Sequence, residues 1–393
     1  MSLEKFEDTF LANTFWKRPI TIVRGFGAKV WDSEGREYID CGCGYGVALL
    51  GHCHPKIVDA IKKQCERLIT CHGSFYNDIR EECLLKLYKI KPKGTDKIFL
   101  SNSGAEAVEA AIKLVKKFTK KKKIIAMVNS FHGKTIGALS LTWNPKYREP
   151  FLPLLEGIKF APYGNFEKLK TLIDEDVGAI FIEPIQGEGG INVPPPDYLK
   201  QVRELCNEKD ILLVLDEVQS GFGRTGKIWA HEYFGIEPDI LCAGKALGGG
   251  LPIGATYARA DIMDSLKRGE HSNTFGGNPL VCASCKAAIE VLIEDGLIEN
   301  AKIMGDFLLN EFSKINSKLI REVRGIGLMI GIEMRFEVKD IILEMLKKGV
   351  IVLEAGKNVI RLLPPLVITK DEAEKVISVF EDVIKIEEKK KFG

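Results

Sequence analysis

Several features are missing from this chain of 393 residues, and each absence removes a class of function. No run of about 18 apolar residues occurs, so no membrane-spanning helix is expected. The opening MSLEKFEDTF has no apolar core of signal-peptide length, and a cytosolic protein is the expectation. Charge of one sign is also scarce. The formal net charge of +2 gives neither nucleic acid nor a membrane surface a reason to bind. There is no internal repeat and no low-complexity linker.

Cysteine is plentiful, but metal-ligand spacing is not. The chain has ten cysteines. Cys41, Cys43, Cys53, Cys65, Cys71 and Cys83 lie close in sequence to His52, His54 and His72, yet no C-x-x-C there has a matching second pair or an H-x-x-x-H partner. The one C-x-x-C, Cys282 to Cys285, stands alone in a helix-like run. These cysteines therefore read as small buried residues of a reducing compartment, and no metal is expected. A second lure fails in the same way. Gly221 to Lys227, GFGRTGK, fills the first seven positions of a phosphate-binding loop, but Ile228 stands where Mg²⁺ needs a Ser or Thr hydroxyl.

What is present is an ordinary globular composition, 45% apolar and 28% charged, in a chain longer than one core comfortably supports. Short apolar runs alternate with helical ones, which predicts an α/β fold with a doubly wound, mainly parallel sheet. From Leu280 the texture changes to long helices, with Val323 to Glu333 and Val350 to Leu363 as strands. The expected division is an N-terminal segment, 1–45, joining a small α+β domain at 281–393, and a large domain at 46–280.

The chain is organised around residues 211–245. Ile211 to Asp216 is an apolar run ending in an acid, and Asp239 to Ala243 is a second one, followed by Gly244 and Lys245. As two buried strands they deliver Asp216 and Lys245 to one rim, because ligands of open α/β sheets sit at the carboxyl ends of strands. Pyridoxal phosphate chemistry needs such a pair: an amine to condense with the cofactor aldehyde and an acid to hold the pyridine nitrogen protonated. A plain ion pair at a sheet edge would have the same sequence.

Other stretches converge on the same rim. Lys29 to Asp40 alternates around Asp-Ser-Glu-Gly and reads as a hairpin; the glycine-rich loop after it carries one aromatic, Tyr45, a candidate pocket wall. Lys97 to Leu100 reads as a strand running into a helix that begins at Ser103 and Gly104. The unpaired N–H groups of that helix start suit a phosphate, although a Ser cap with Glu106 completing a capping box would look alike. Ile124 to Val128 leads to Phe131 and His132, either of which could stack on a flat ring. Gly178 to Pro184 ends in Glu183 and continues to Glu188.

In order along the chain, NSGAEAVEAAIK, FHGKT, EPIQGEGG, LDEVQSGFGRTG, CAGKALGGGLPIGA, TFGGNPL and IRLLPPL resemble the class III, ω-type aminotransferases of fold type I. Within that family the likeness is to the acetylornithine aminotransferase branch, whose archaeal relatives act on substrates tethered to a small acidic carrier protein for lysine and arginine synthesis. The resemblance implies a homodimer with Lys245 as the cofactor-linked amine and Asp216 as partner of the ring nitrogen. It also implies Gln219 on the phenolic oxygen, Phe131 stacked on the ring, and Ser103, Gly104 and Ala105 on the phosphate with Thr274 of the other subunit. Arg361 would bind the α-carboxylate of glutamate or 2-oxoglutarate, masked by Glu188 when an ω-amino donor is bound. Two positions depart from the family. Lys134 replaces the arginine that grips the donor carboxylate, and Asn273 stands where a serine is usual. The expected reaction is transfer of a terminal amino group to 2-oxoglutarate. Acetylornithine aminotransferase on free substrate and glutamate-semialdehyde aminomutase are the alternatives, the second disfavoured because it needs no glutamate co-substrate and hence no Glu188–Arg361 pair.

Overall fold

The computed structural model describes residues 3–392, and of residues 3–5 only the backbone. Fifteen strands fall into three sheets among the described residues. The N-terminal strands are β1 (Ile22–Phe26), β2 (Lys29–Asp32) and β3 (Glu37–Asp40). A central group follows: β4 (Lys97–Ser101), β5 (Lys123–Met127), β6 (Ile158–Ala161), β7 (Val177–Ile182), β8 (Leu212–Asp216), β9 (Ile240–Gly244) and β10 (Gly254–Ala258). The last are β11 (Ile320–Ile326), β12 (Met329–Met334), β13 (Val350–Ile351), β14 (Leu353–Ala355) and β15 (Val359–Leu362).

The central sheet has the order β4-β10-β9-β8-β7-β5-β6. Neighbours from β9 to β6 are parallel, and β10 alone runs against β4 and β9. Its strands are apolar runs, not alternating ones, because both faces are covered. Ile125, Ile180, Leu213 and Leu241 point into one core, whereas Ile124, Ala179, Leu212 and Ile240 point into the other. The period-two alternation of side chains thus splits each apolar run between two layers. The helix Gly104–Thr119 closes the second layer with Ala107, Val108, Ala111, Leu114 and Val115.

The other two sheets are smaller. β11-β12-β15-β14 is antiparallel throughout, and β1-β2-β3 adds β13 in parallel, so residues 39–40 pair with 350–351. The expected hairpin at Lys29 to Asp40 is present as β2 and β3. The two expected C-terminal strands are not single strands. Val323 to Glu333 folds back at Gly327, which has φ 57° and whose added Cβ would lie 2.5 Å from the Thr225 carbonyl carbon. Val350 to Leu363 is three short strands: β13 leaves for the N-terminal sheet and Gly356 (φ 67°) turns β14 into β15.

The cysteine reading also needs correction. Cys41, Cys43 and Cys83 are buried, but Cys53 and Cys65 are exposed and Cys71 lies between. Cys53 occupies the loop before Pro55, and Cys65 ends the helix Pro55–Cys65, which buries only Ile57 and Gln64. Among the described residues no group of three His, Cys, Asp or Glu is placed to hold a metal, and no helix is long and apolar enough to cross a membrane.

Candidate active site

The site forms where the carboxyl ends of β5, β7, β8 and β9 meet β15 of the small sheet. Asp216 is the last residue of β8 and pairs in register with Cys242 of β9. Three residues on, Lys245 leaves the sheet with φ 47°, a left-handed conformation that costs a non-glycine residue of order 1 kcal/mol. Close approach makes the corner possible. A Cβ on Gly244 would lie 3.2 Å from the backbone N of Gly104, and one on Gly254 only 2.0 Å from the Ser103 carbonyl oxygen. The start of the helix Gly104–Thr119 is thereby pressed against the ends of β9 and β10.

That helix start is capped by Ser103, whose Oγ accepts from the Glu106 N–H at 3.2 Å. The expected capping box is shifted by one residue: Glu106 Oε2 accepts from the N–H of Asn102 at 2.7 Å, not from that of Ser103. The N–H groups of Gly104 and Ala105 are left at the positive end of the helix dipole.

Asp216 is buried and held from two sides. Its Oδ2 lies 2.7 Å from Nδ1 of His132, and its Oδ1 accepts from the Val218 N–H at 3.0 Å. Burial pushes the His132 imidazole down, but the hydrogen bond and charge of Asp216 outweigh it and leave it above the usual range. Nε2 of His132 is buried without a partner. Of the two rings expected to be able to stack on a flat ligand, that of His132 is bonded to Asp216, whereas that of Phe131 meets Tyr147 edge-on.

Glu183, one residue past β7, accepts from the N–H groups of Phe131 at 2.9 Å and Gly187 at 3.0 Å. Burial pushes its carboxyl up to about 7; the His132 charge opposes this and the Asp216 charge adds to it. Glu183 therefore ties the loop of Phe131 to the loop of Glu188.

Lys245 faces these acids. Burial lowers its ammonium below the usual lysine range, Arg361 lowers it further, and Glu188, Asp216 and Glu183 pull the other way. An amine so placed sheds its proton more readily than an exposed one.

Arg361, on β15, is fully buried. Its Nη1 donates to Glu188 Oε1 at 2.6 Å and to Gln219 Oε1 at 3.2 Å, and its Nη2 to the Glu354 carbonyl oxygen at 3.2 Å. The guanidinium lies 5.5 Å from the centre of the Tyr45 ring. Burial raises the Glu188 carboxyl, but the charge and hydrogen bond of Arg361 and the charge of Lys245 outweigh it, so the group sits below its ordinary value.

The remaining candidates separate. Lys134 places its Nζ 4.5 Å from the Tyr147 ring centre, and Tyr147 meets Phe131 edge-on at 6.3 Å. Asn273 bonds the loop itself: its Nδ2 donates to the Leu100 carbonyl oxygen, and its Oδ1 accepts from the Gly276 N–H. Thr274 beside it is exposed. Sequence reasoning passed over Glu183 as a brace, Tyr147 and Glu354. Only Glu183 carried a signal, as an acid at a strand end.

The donor set fits pyridoxal phosphate. A serine-capped helix start, an aromatic ring, an acid fixed by histidine and a partly dehydrated lysine stand at the ends of β4, β5, β8 and β9. When bound, the cofactor supplies an aldehyde that takes up the amino group and a ring that draws electrons from the substrate carbon. A pyridoxal-phosphate-dependent enzyme of fold type I is the class that this fold and site define.

The comparisons carry the assignment further. The model of the family described as Aminotransferase class-III matches residues 12–384. Acetylornithine aminotransferase of Methanopyrus kandleri is 46% identical over 387 residues, covering 98% of this chain and 99% of that one. The LysW-aminoadipate semialdehyde/glutamate semialdehyde transaminase of Sulfurisphaera tokodaii is 47% identical over 363 residues, 91% of this chain and 92% of that one. Among solved structures, ornithine aminotransferase from Toxoplasma gondii superposes with a TM-score of 0.95 at 35% identity, covering 98% of this chain and 94% of that one. The chain belongs to the class III aminotransferases and is a pyridoxal-phosphate-dependent transaminase.

Proposed function

We propose that this transaminase moves a terminal amino group from an ω-amino donor, a lysine or ornithine unit tethered to a small acidic carrier protein, to 2-oxoglutarate. It would work as a cytoplasmic homodimer in lysine and arginine synthesis, with Thr274 of each subunit reaching the other's cofactor phosphate. The observation that carries the reading is the 2.6 Å Glu188–Arg361 pair. A buried arginine with an internal carboxylate can take either of two states, masked for a donor that presents an amine and open for the α-carboxylate of glutamate. An aminomutase, which uses no glutamate, has no need of the second state.

The residue roles follow. Ser103, Gly104 and Ala105 hold the phosphate, Phe131 covers the ring and Gln219 orients it. Asp216, fixed by His132, keeps a negative charge at the ring nitrogen. Lys245 would yield its place to the substrate amine and then move the proton at its Nζ, a general acid and base whose proton affinity burial lowers. Tyr45, Lys134 and Asn273 belong to the donor side.

A second reading, acetylornithine aminotransferase on free substrate, is favoured by the name of the Methanopyrus relative. The deciding assay compares a carrier-tethered ω-amine with free acetylornithine, ornithine and 4-aminobutyrate at low and high salt. The tethered amine should have the higher kcat/KM, and its advantage should shrink as salt screens an acidic carrier from basic residues such as Lys146 and Arg148. Equal performance of free acetylornithine at low salt would overturn the carrier reading.

A further inference from the structure

The departure at Lys134 leaves the donor carboxylate without the family's guanidinium at that position. The lysine is itself engaged, its ammonium seated on the Tyr147 ring at 4.5 Å. A point charge on a flexible stem does not reproduce a two-pronged grip.

A second guanidinium is linked to Arg361 through Glu354. Arg18 lies in the segment before β1, and its side chain is only 15% exposed. Its Nη2 bonds Glu354 Oε2 at 3.3 Å, while its Nη1 is buried and has no partner. Glu354 is the residue whose carbonyl oxygen accepts from Arg361, so Arg18 is one residue removed from the Glu188–Arg361 pair. The Arg361 guanidinium lies 5.5 Å from the centre of the Tyr45 ring, and the charges of Glu354, Glu188 and Arg18 also act on the Tyr45 hydroxyl. Trp16 packs 5.8 Å from the guanidinium and restrains it. A buried N–H donor with no acceptor is costly by about 1–3 kcal/mol, so a small shift of the side chain that brought Nη1 to a ligand acceptor would relieve that cost.

We propose that Arg18 grips the carboxylate of the ω-amino donor, its unpartnered Nη1 and its Nη2 forming the fork that Lys134 does not supply. The inference rests on the ω-amino donor reading above. With donor absent, Glu354 holds Arg18 in place; with donor present, the substrate carboxylate takes the open donor and Glu354 is the group it competes with. The N-terminal segment thereby sets donor specificity, while Arg361 is left to glutamate.

The test uses two donors that differ only in the carboxylate, N-acetylornithine and N-acetylputrescine, with the holoenzyme and its Arg18→Gln and Arg18→Lys variants. The quantity read is the ratio of their kcat/KM values. In the wild type the ratio should favour N-acetylornithine. In Arg18→Gln it should fall about ten- to hundredfold, the range of a charge-assisted carboxylate pair, with Arg18→Lys between. A ratio in Arg18→Gln equal to that of the wild type overturns the role of Arg18, as does a parallel loss on both donors, which would make it a structural brace. A wild type that fails to discriminate between the two donors overturns the donor reading itself, whatever the variants do.

Discussion

The replacement Glu188→Gln is the sharpest probe of how one cavity serves two substrates. Arg361 has no exposed surface, whereas the Glu188 side chain is 27% exposed, so the arginine is fixed and the glutamate is the member able to leave. In the wild type a second carboxylate reaches Arg361 only after displacing Glu188. The full Glu188–Arg361 ion pair contributes about 1.5–3 kcal/mol net, and a glutamine amide on the same guanidinium retains about 1 kcal/mol, so the substitution eases displacement by about 0.5–2 kcal/mol. That is about two- to thirtyfold in the apparent affinity for 2-oxoglutarate, since the competent fraction rises by that factor. Gln219 Oε1 and the Glu354 carbonyl oxygen keep the guanidinium bonded, so the fold should survive. The assay is the two half-reactions followed separately by the cofactor spectrum. KM for 2-oxoglutarate should fall, and glutamate should become a stronger inhibitor of the ω-amino half-reaction. Arg361→Gln should instead raise the KM for 2-oxoglutarate while the ω-amino half-reaction changes far less. Because Arg361 holds the Glu188 carboxyl below its ordinary value, the effect should be flat between about pH 6 and 9. Equal effects of both substitutions on both half-reactions would refute the switch.

Three further expectations follow from the same geometry. Asp216→Asn should cost far more in turnover than in cofactor retention, because an amide cannot hold the ring nitrogen protonated. It should also abolish the stability that the His132–Asp216 pair contributes at low pH and loses as pH rises through the elevated histidine value; a denaturation midpoint with unchanged pH dependence would contradict this. Covalent capture of added pyridoxal phosphate by the apoenzyme should plateau below pH 10.5, and Arg361→Gln should move the limb upward, since the guanidinium lowers Lys245; Lys245→Ala should give no borohydride-fixed adduct. In Gly187→Ala the new Cβ would sit 2.3 Å from Gln219 Oε1, the far end of a flexible side chain. Turnover should therefore drop with the denaturation midpoint nearly unmoved, and a large loss of stability would show that Gln219 cannot give way.

What could be read from the sequence was set by how local each signal is. The strand ends at Asp216 and Lys245 and the helix start at Ser103 are runs of adjacent residues whose periodicity and caps act within a few positions, and all three lie where expected. Of the expected C-terminal strands, Val323 to Glu333 is broken by the fold-back at Gly327, and Val350 to Leu363 because β13 leaves its neighbours for a sheet at the other end of the chain, a pairing with no local signature. His132 followed the same rule. Its place after β5 was legible, but whether the ring faces a ligand or Asp216 depends on a partner 84 residues away. Tyr147 and Glu354 had no sequence signal at all, since each acquires its role only by packing against Lys134 or Arg361.

The same contacts decide what kind of motion a change of substrate requires. The loop that carries Glu188 is pinned along its length. Gln186 and Asn192 exchange two backbone hydrogen bonds, Nε2 of Gln186 reaches the Val128 carbonyl oxygen, Glu183 holds the Gly187 N–H, and Arg324 donates to the carbonyl oxygens of Gly190 and Ile191. Releasing that backbone would break at least five hydrogen bonds, each contributing about 1 kcal/mol net. Rotating the Glu188 side chain breaks only its bonds to Arg361 and Gln219. Unmasking Arg361 is therefore a rotamer change, fast on the timescale of turnover and open to any second carboxylate that enters. Selectivity between donor and acceptor cannot come from the speed of this switch. It must come from what else holds each carboxylate, which is why a separate grip on the donor, away from Arg361, is needed if glutamate is not to occupy the site whenever Glu188 turns aside.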